Sequence, residues 1–334
     1  MDFTRRSFLT TALGGVALIS MPIGARAATT FNFITPFAFS LSFAPVLYAS
    51  AAGFYEDEGL DCTIQAGKGA ALAAQMTIAK QMDSGRTGGT NYIVSKVNNG
   101  APLTSIATIA QLSPFFIISS SEDPVKSVQD VVGRTVGMAS LGGSMEATLD
   151  LMLAADGLSP DKVEKVKVAD SAASYALIEA GRAGAFIGNT SSMIKASEVR
   201  DGVYAIPMDD GMPGQVYVAH PDEVEAHPDK FVAFLKATHK SALEIVNTQD
   251  LAPILKIIGD KYDVNGLSNM ETAQRDLRAN AENWAAKGKD NLLRNVPSVW
   301  DYAVTTLAET GLISKKVPAT DLYTNALLDR ALKG

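Results

Sequence analysis

The spacing of apolar positions changes repeatedly along the chain, and the changes lay out its elements. Residues 31–35 alternate apolar and polar side chains, which predicts a strand that Pro36 ends. A helix is expected from Ser42, because Pro45 is tolerated in a first turn but not in a helix interior. Leu47, Tyr48, Ala51 and Ala52 continue it, and Gly53 stops it. A strand follows around Cys62, then a helix over 70–82, a weak glycine-rich strand over 86–90 and a short helix over 92–98. Residues 103–110 and 115–119 read as clear strands. Strands alternating with helices at these intervals predict an α/β fold with a largely parallel sheet.

The polar stretch 120–124 breaks this pattern, and the same grammar then begins again. A short helix over 127–132 precedes a strand at Val136 and Met138, a turn at Gly142 and Gly143, and a helix over 144–155. Ser144 suits the N-cap of that helix, and Met145, Leu149 and Met152 give it one buried face. Strands are expected at 163–168, 185–188 and 203–206, with a helix at 172–180 and a polar turn from Asn189 into a brief helix. After a second break at 209–214, residues 215–219 form a strand. Beyond His220 the period is helical throughout, over 229–247, 251–262, 268–287, 297–311 and 321–332. Phe231, Phe234, Leu235, Thr238 and Ala242 share one face of the first of these, and such faces need the first half of the molecule to cover them.

Composition narrows the class. The 334 residues, 47% hydrophobic and 19% charged, suit one large or two medium globular domains. A formal net charge of −7 argues against a nucleic-acid partner, and the single cysteine, Cys62, can form neither an internal disulfide nor a thiolate metal site by itself. Its alternating surroundings mark it as a small packed residue. At the N-terminus, Thr4-Arg-Arg-Ser-Phe-Leu-Thr10 resembles the bacterial twin-arginine export motif; a weakly apolar run and Ala25-Arg-Ala27 complete the layout of a signal peptide over 1–27. Cleavage after Ala27 removes three arginines and one aspartate, leaves a charge of −9, and places a soluble chain in the periplasm.

Several segments, in order, are similar to one family. Leu47-Tyr-Ala-Ser-Ala-Ala-Gly-Phe-Tyr-Glu-Asp-Glu-Gly-Leu60 resembles its aGFYeeEGLdV signature; Gly100-Ala-Pro-Leu103, Gln111-Leu-Ser-Pro-Phe115 and residues 128–138 resemble its successive strands; Val216-Tyr-Val-Ala-His-Pro221, continued through Phe234, resembles its return segment. The family is the nitrate, sulfonate, taurine and thiamine-precursor group of ABC-transporter substrate-binding proteins. Residues 83–91 depart from its usual G-x-x-D-f-g strand. The resemblance implies the type II periplasmic-binding-protein fold, with two α/β lobes, each a mostly parallel sheet flanked by helices. Lobe one would be 31–118 and 219–334, carrying the helical C-terminal extension, and lobe two 119–218. It implies a monomer that closes on a small organic solute and delivers it to an inner-membrane permease. Presentation of the solute to a membrane sensor is the alternative.

Ligands in open α/β sheets sit beyond the carboxyl ends of the strands. That rule selects Phe37, Phe39, Ser40, Phe43, Gly67, Lys68, Asn91, Gln111, Ser113, Ser140, Leu141, Gly142, Gly143, Ser144, Asn189, Thr190, Met212 and Gln215. Small hydroxyls and amides with free backbone donors suit a ligand that is oriented rather than transformed. Phe37, Phe39 and Phe43 can stack on a flat ring or fill ordinary core; the amides can read a heterocycle or satisfy their own turns. Lys68 and Arg86 read as surface charges, and Glu146 already occupies the positive end of the 144–155 helix, which argues against an anion there. The expected solute is aromatic or heterocyclic, like a vitamin precursor, with a small sulfonate next. No H-E-x-x-H, G-x-S-x-G or phosphate-loop motif is present, and Ser192-Met-Ile-Lys195 lacks the partners its S-x-x-K spacing would need. A fungal branch of the superfamily makes the thiamine pyrimidine, but its cysteine cluster has no counterpart here. No enzyme activity, cofactor or metal is expected.

Overall fold

The computed structural model describes residues 28–208 and 211–333. The twin-arginine motif and the cleavage pattern lie outside the described residues. Ten strands form two five-stranded sheets. The first contains β1 (Thr29–Thr35), β2 (Leu60–Ala66), β3 (Ser84–Gly88), β4 (Thr104–Ala110) and β10 (Gln215–Ala219). The second contains β5 (Phe115–Ser120), β6 (Thr135–Met138), β7 (Glu164–Lys167), β8 (Ala185–Asn189) and β9 (Val203–Pro207). Their orders, β2-β1-β3-β10-β4 and β7-β6-β8-β5-β9, repeat one plan. In each sheet a single strand runs against its neighbours: β10 opposite Arg86 and Ala107 in the first, β5 opposite Ile187 and Ile206 in the second. Both are the strands the chain enters on crossing from one sheet to the other.

The crossings run side by side. A Cβ added at Gly214 would stand 1.9 Å from the Leu112 carbonyl oxygen, so only glycine allows the two segments to pass. The strand pairings place residues 115–118 in the second sheet and 215–218 in the first, a few residues from the lobe limits expected at 118 and 218.

The first core lies between β1 and the Pro228–Asn247 helix, whose residues 231, 234, 235, 238, 242 and 245 all face inward. Phe234 stacks on Phe31 with centroids 4.4 Å apart and on Tyr55 at 5.5 Å. The helical tail does cover the first sheet, as its periodicity requires. The second core packs Ile117, Val136 and Ile187 against Met145, Leu149 and Leu153 of the Ser144–Ala155 helix. Cys62 packs, half-buried, at the edge of the first core, and burial pushes its thiol well above the usual range.

Several element boundaries differ from expectation: the helix expected over 92–98 runs Gly89–Asn99, that over 268–287 runs Met270–Trp284, and 172–180 divides into a 3-10 turn and a short helix at Ala176–Glu179. The weak strand sits two residues earlier, at Ser84–Gly88, because pairing with β1 and β10 fixes its register where its own glycine-rich sequence cannot. The helix from Ala70 stops at Ile78, before Lys80 takes a left-handed φ of 57°. In the last tail segment only Ala326–Lys333 is α-helical, preceded by a 3-10 turn at Ala319–Asp321. No helix among the described residues is long and apolar enough to cross a membrane.

Candidate functional site

Between the sheets lies a cavity of about 790 Å³. It opens beyond the carboxyl ends of β1, β2, β6, β7 and β8, where the strand-end rule puts a ligand. From the first sheet come Phe37, Ala38, Ser40, Gly67 and Lys68. From the second come Ala139, the turn from Lys167 to Ala173, Asn189, Ser191, Ser192, Ile194 and Lys195. The helical tail adds Asn265, Gly266, Thr272, Ala273 and Asp276.

Phe37 belongs to the first sheet by sequence yet packs against the second core, so its ring spans the gap. On the opposite wall, Asp170 is held by donors from the next strand end. The Asn189 backbone N–H and the Ser192 hydroxyl donate to its Oδ1 at 3.1 and 2.7 Å, and the Asn189 side-chain amide donates to Oδ2 at 2.7 Å. Burial raises the Asp170 carboxyl above its ordinary range, against the pull of those donors and of Arg86. Asn189 also caps the Thr190–Val199 helix, its Oδ1 accepting the Ser192 N–H at 3.0 Å. Its amide is therefore committed to shaping the wall.

Asp276 closes the third side. Thr272, Asp276 and Asn280 make a polar stripe, one turn apart, beside the apolar Ala273, Leu277 and Ala281 of the Met270–Trp284 helix. Asp276 is 5% exposed, and its Oδ1 accepts from Ser191 Oγ at 2.9 Å and Asn280 Nδ2 at 2.8 Å. Burial pushes its carboxyl up to about 7, while those two bonds pull it down. The Ser191 bond ties the second half of the molecule to the tail. Glu198 adds to this tie, accepting from Asn269 Nδ2 at 2.8 Å and from the Thr272 hydroxyl.

Of the residues expected at the site, Phe37, Ser40, Gly67, Lys68 and Asn189 line this cavity. The others lie elsewhere. Phe43 is core, 2% exposed, with the Arg86 guanidinium 4.8 Å above its ring; Phe39 packs edge-on against Tyr262. Asn91 donates to Thr87, and Gln111 donates to the carbonyls of Thr108, Asn291 and Arg294, pinning the first crossing to the tail. Ser113 Oγ accepts the Phe115 N–H, Thr190 donates to the Pro114 carbonyl, and Met212 is buried beside Tyr92. Gln215 accepts from Arg86 Nε at 3.4 Å.

The glycine turn is displaced from the cavity as a unit. Ser140 packs against Gly69, Leu141 is exposed, and the Gly142 N–H donates to Glu146 at 2.5 Å, so Glu146 takes that donor for itself. Gly143, not Ser144, is the N-cap. The Ser144 hydroxyl instead accepts the Gly88 N–H at 2.6 Å, across the two sheets, and an added Cβ at Gly88 would meet Ser144 Cβ at 2.5 Å.

Arg86 is not a surface charge. It is 3% exposed, its Nη1 donates to the Ser42 carbonyl at 2.5 Å, and burial lowers its ordinary value to about 10, so it stays charged near neutral pH. It forms no ion pair with a carboxylate among the described residues, and Asp170 is the acidic group that acts on it at longer range.

The strand-end rule, applied to 163–168 as it was to other strands, would have found Asp170. The Thr272/Asp276/Asn280 stripe on a buried helix face was the signal for Asp276. Among the described residues, no three His, Cys, Asp or Glu residues gather as metal ligands, and no histidine lines the cavity.

Comparison with known proteins agrees with this architecture. A fission-yeast 4-amino-5-hydroxymethyl-2-methylpyrimidine phosphate synthase (Schizosaccharomyces pombe) is 23% identical over 231 residues, which span 64% of this chain and 65% of that protein. Among solved structures, a Bordetella bronchiseptica protein aligns over 92% of this chain and 98% of its own, at 18% identity and a TM-score of 0.75. The alkanesulfonate-binding protein of Xanthomonas axonopodis, bound to MOPS, aligns over 90% and 99%, at 14% identity and a TM-score of 0.67. Proteins similar to this chain thus include both a binding protein and an enzyme. The NMT1/THI5-like family pattern matches residues 40–252, well over half of the sequence, and the chain belongs to that family.

Proposed function

We propose that this chain is a periplasmic solute-binding protein that captures a small organic molecule between its two sheets and hands it to an inner-membrane ABC permease. One observation carries the reading: a cavity of about 790 Å³ lined from both sheets and the tail, and bridged by the hydrogen bond from Ser191 to Asp276. That volume suits a small organic ligand. A molecule touching all three walls favours the closed arrangement by its difference in affinity for closed and open forms. The arginine pair at Arg5 and Arg6 supports export.

The solute is a flat aromatic or heterocyclic molecule. Phe37 is the one aromatic ring among the described residues of the lining, and Val168, Ala169, Ala172, Ala173 and Ile194 add apolar surface to it. A sulfonate is the second reading, because the lining sets Lys68, Lys167 and Lys195 beside Asp170 and Asp276. The test is a thermal-shift screen over pyrimidines, flavins, aromatic acids, sulfonates and nitrate. A rise in melting temperature with a pyrimidine or another flat heterocycle is expected. A rise with sulfonates or nitrate alone defeats the ring reading, and no rise with any class defeats the binding reading.

A further inference from the structure

We propose that Asp276 is the specificity-determining group of the cavity, and that the solute presents to it a protonated nitrogen: an amine, an amidine or an amino-substituted nitrogen heterocycle. The inference rests on the cavity being the solute site and adds to it the charge of the solute.

The geometry of the carboxylate carries it. Oδ1 is fully occupied by Ser191 and Asn280, whereas Oδ2 receives no hydrogen bond. Among the described residues, three buried side-chain polar atoms have no partner, namely Tyr217 Oη, Ser241 Oγ and Trp300 Nε1. Oδ2 of Asp276 is not among them, which leaves it open to the cavity that the residue lines. A deeply buried carboxylate with one oxygen pinned and the other facing empty space is a preformed acceptor. Asp170, the other acid in the wall, has donors on both oxygens and offers no comparable position.

The surroundings leave the counter-charge unfilled. The charged groups on neighbouring elements are Lys195 and Glu198 from the Thr190–Val199 helix, Lys167 and Asp170 from the turn after β7, and Lys68 from the turn after β2. Glu271, Arg275, Arg278 and Glu282 lie on the same helix, and the Pro228–Asn247 helix packed against it carries Lys236, His239, Lys240 and Glu244. Lys195 pairs with Glu198 at 2.7 Å. Burial, Ser191 and Asn280 account for the raised carboxyl of Asp276, and no charged neighbour contributes. A cationic solute would supply the missing charge, draw the proton off Asp276 and release it near neutral pH. A sulfonate seated against Oδ2 would place like charges together.

The experiment is isothermal titration calorimetry of the protein with three flat probes: benzamidine and 4-aminopyridine as cations, and benzenesulfonate as an anion of similar size. The expected result is binding of a cation in preference to benzenesulfonate, with affinity falling about tenfold from pH 8 to pH 6 as Asp276 takes up its proton. The enthalpy should differ between buffers of different ionisation enthalpy, which reads the released proton on the unaltered protein. Asp276→Asn preserves the acceptor for Ser191 and should weaken the cation at least tenfold and abolish the pH dependence. Preference for benzenesulfonate with affinity unchanged in Asp276→Asn overturns the proposal, and so does failure of both cations to bind at millimolar concentration. If the anion's binding is then weakened by Phe37→Ala, the cavity still stands as the solute site; the two readings therefore fail separately.

Discussion

Two of the contacts between the halves of the molecule are of opposite character. Beside the crossings, the Gly89–Asn99 and Ser144–Ala155 helices meet through apolar packing. Leu151, 2% exposed, joins Tyr92, Ile93 and Met212 in one cluster, and the Gly88–Ser144 bond sits at its edge. On the far side, the Thr190–Val199 helix meets the Met270–Trp284 helix through polar bonds from Ser191, Glu198, Asn269 and Thr272. Burial of apolar surface is worth about 25 cal/mol per Å², and parting it exposes that surface to water. A hydrogen bond exchanged for bonds to water has a net worth of only about 0.5–1.5 kcal/mol. We propose that the polar contact is the one that opens, with the crossing side as the hinge and the polar side as the mouth.

The contrast is most easily broken at Leu151. Leu151→Asp puts an unpaired charge in the apolar contact and should cost about 4 kcal/mol or more in urea unfolding. A loss near 1 kcal/mol would mean that this contact already opens to water.

Asp276 gives the next largest effect. Its carboxyl, raised to about 7 in the fold, binds a proton more tightly there than in the unfolded chain. Between about pH 4 and pH 7 the folded state holds the extra proton, so stability falls as pH rises through that window and levels off above it. Asp276→Asn should remove this dependence, raising stability at pH 8 by up to about 4 kcal/mol and leaving pH 4 little changed. Parallel melting curves of variant and parent at both pH values would contradict the buried, raised carboxyl.

Gly88→Ala should cost about 1–3 kcal/mol, because its Cβ runs into Ser144, and Ser144→Gly on the same chain should recover part of that loss. Phe37→Ala should weaken solute binding about tenfold, while Phe39→Ala, whose ring packs on Tyr262, should leave affinity unchanged. Ser191→Ala is the mildest change, about 1 kcal/mol, and should shift the open–closed balance more than the melting temperature. An equal drop in melting temperature from Ser191→Ala and Leu151→Asp would erase the distinction between hinge and mouth.

The architecture was legible because periodicity reports burial. The inward face of the Pro228–Asn247 helix and the alternation in β1 appear directly as apolar spacing. The first sheet's weakest strand was misplaced by two residues because Ser84–Gly88 carries almost no apolar pattern, and its partners set its register. The cavity was legible only as a set of strand ends. That rule names the candidates and does not say which ends face the gap. Gln111 and Gln215 occupy strand ends as Asn189 does, yet Gln111 ties the first crossing to the tail and Gln215 donates to the adjacent Gly214 carbonyl. Arg86 looked exposed in a polar glycine-rich segment, but β3 lies inside the sheet and buries it. Ser144 looked like a cap because sequence shows only its own helix; the Gly88 N–H that claims its hydroxyl comes from the other sheet.

The most direct test of the cavity is hydrogen–deuterium exchange with and without a solute that raises the melting temperature. Protection should concentrate in residues 168–173, 189–195 and 265–276, with 140–144 unchanged. Protection centred on 140–144 and 111–113, with 189–195 and 265–276 unchanged, would place the solute at the crossing side and contradict the assignment.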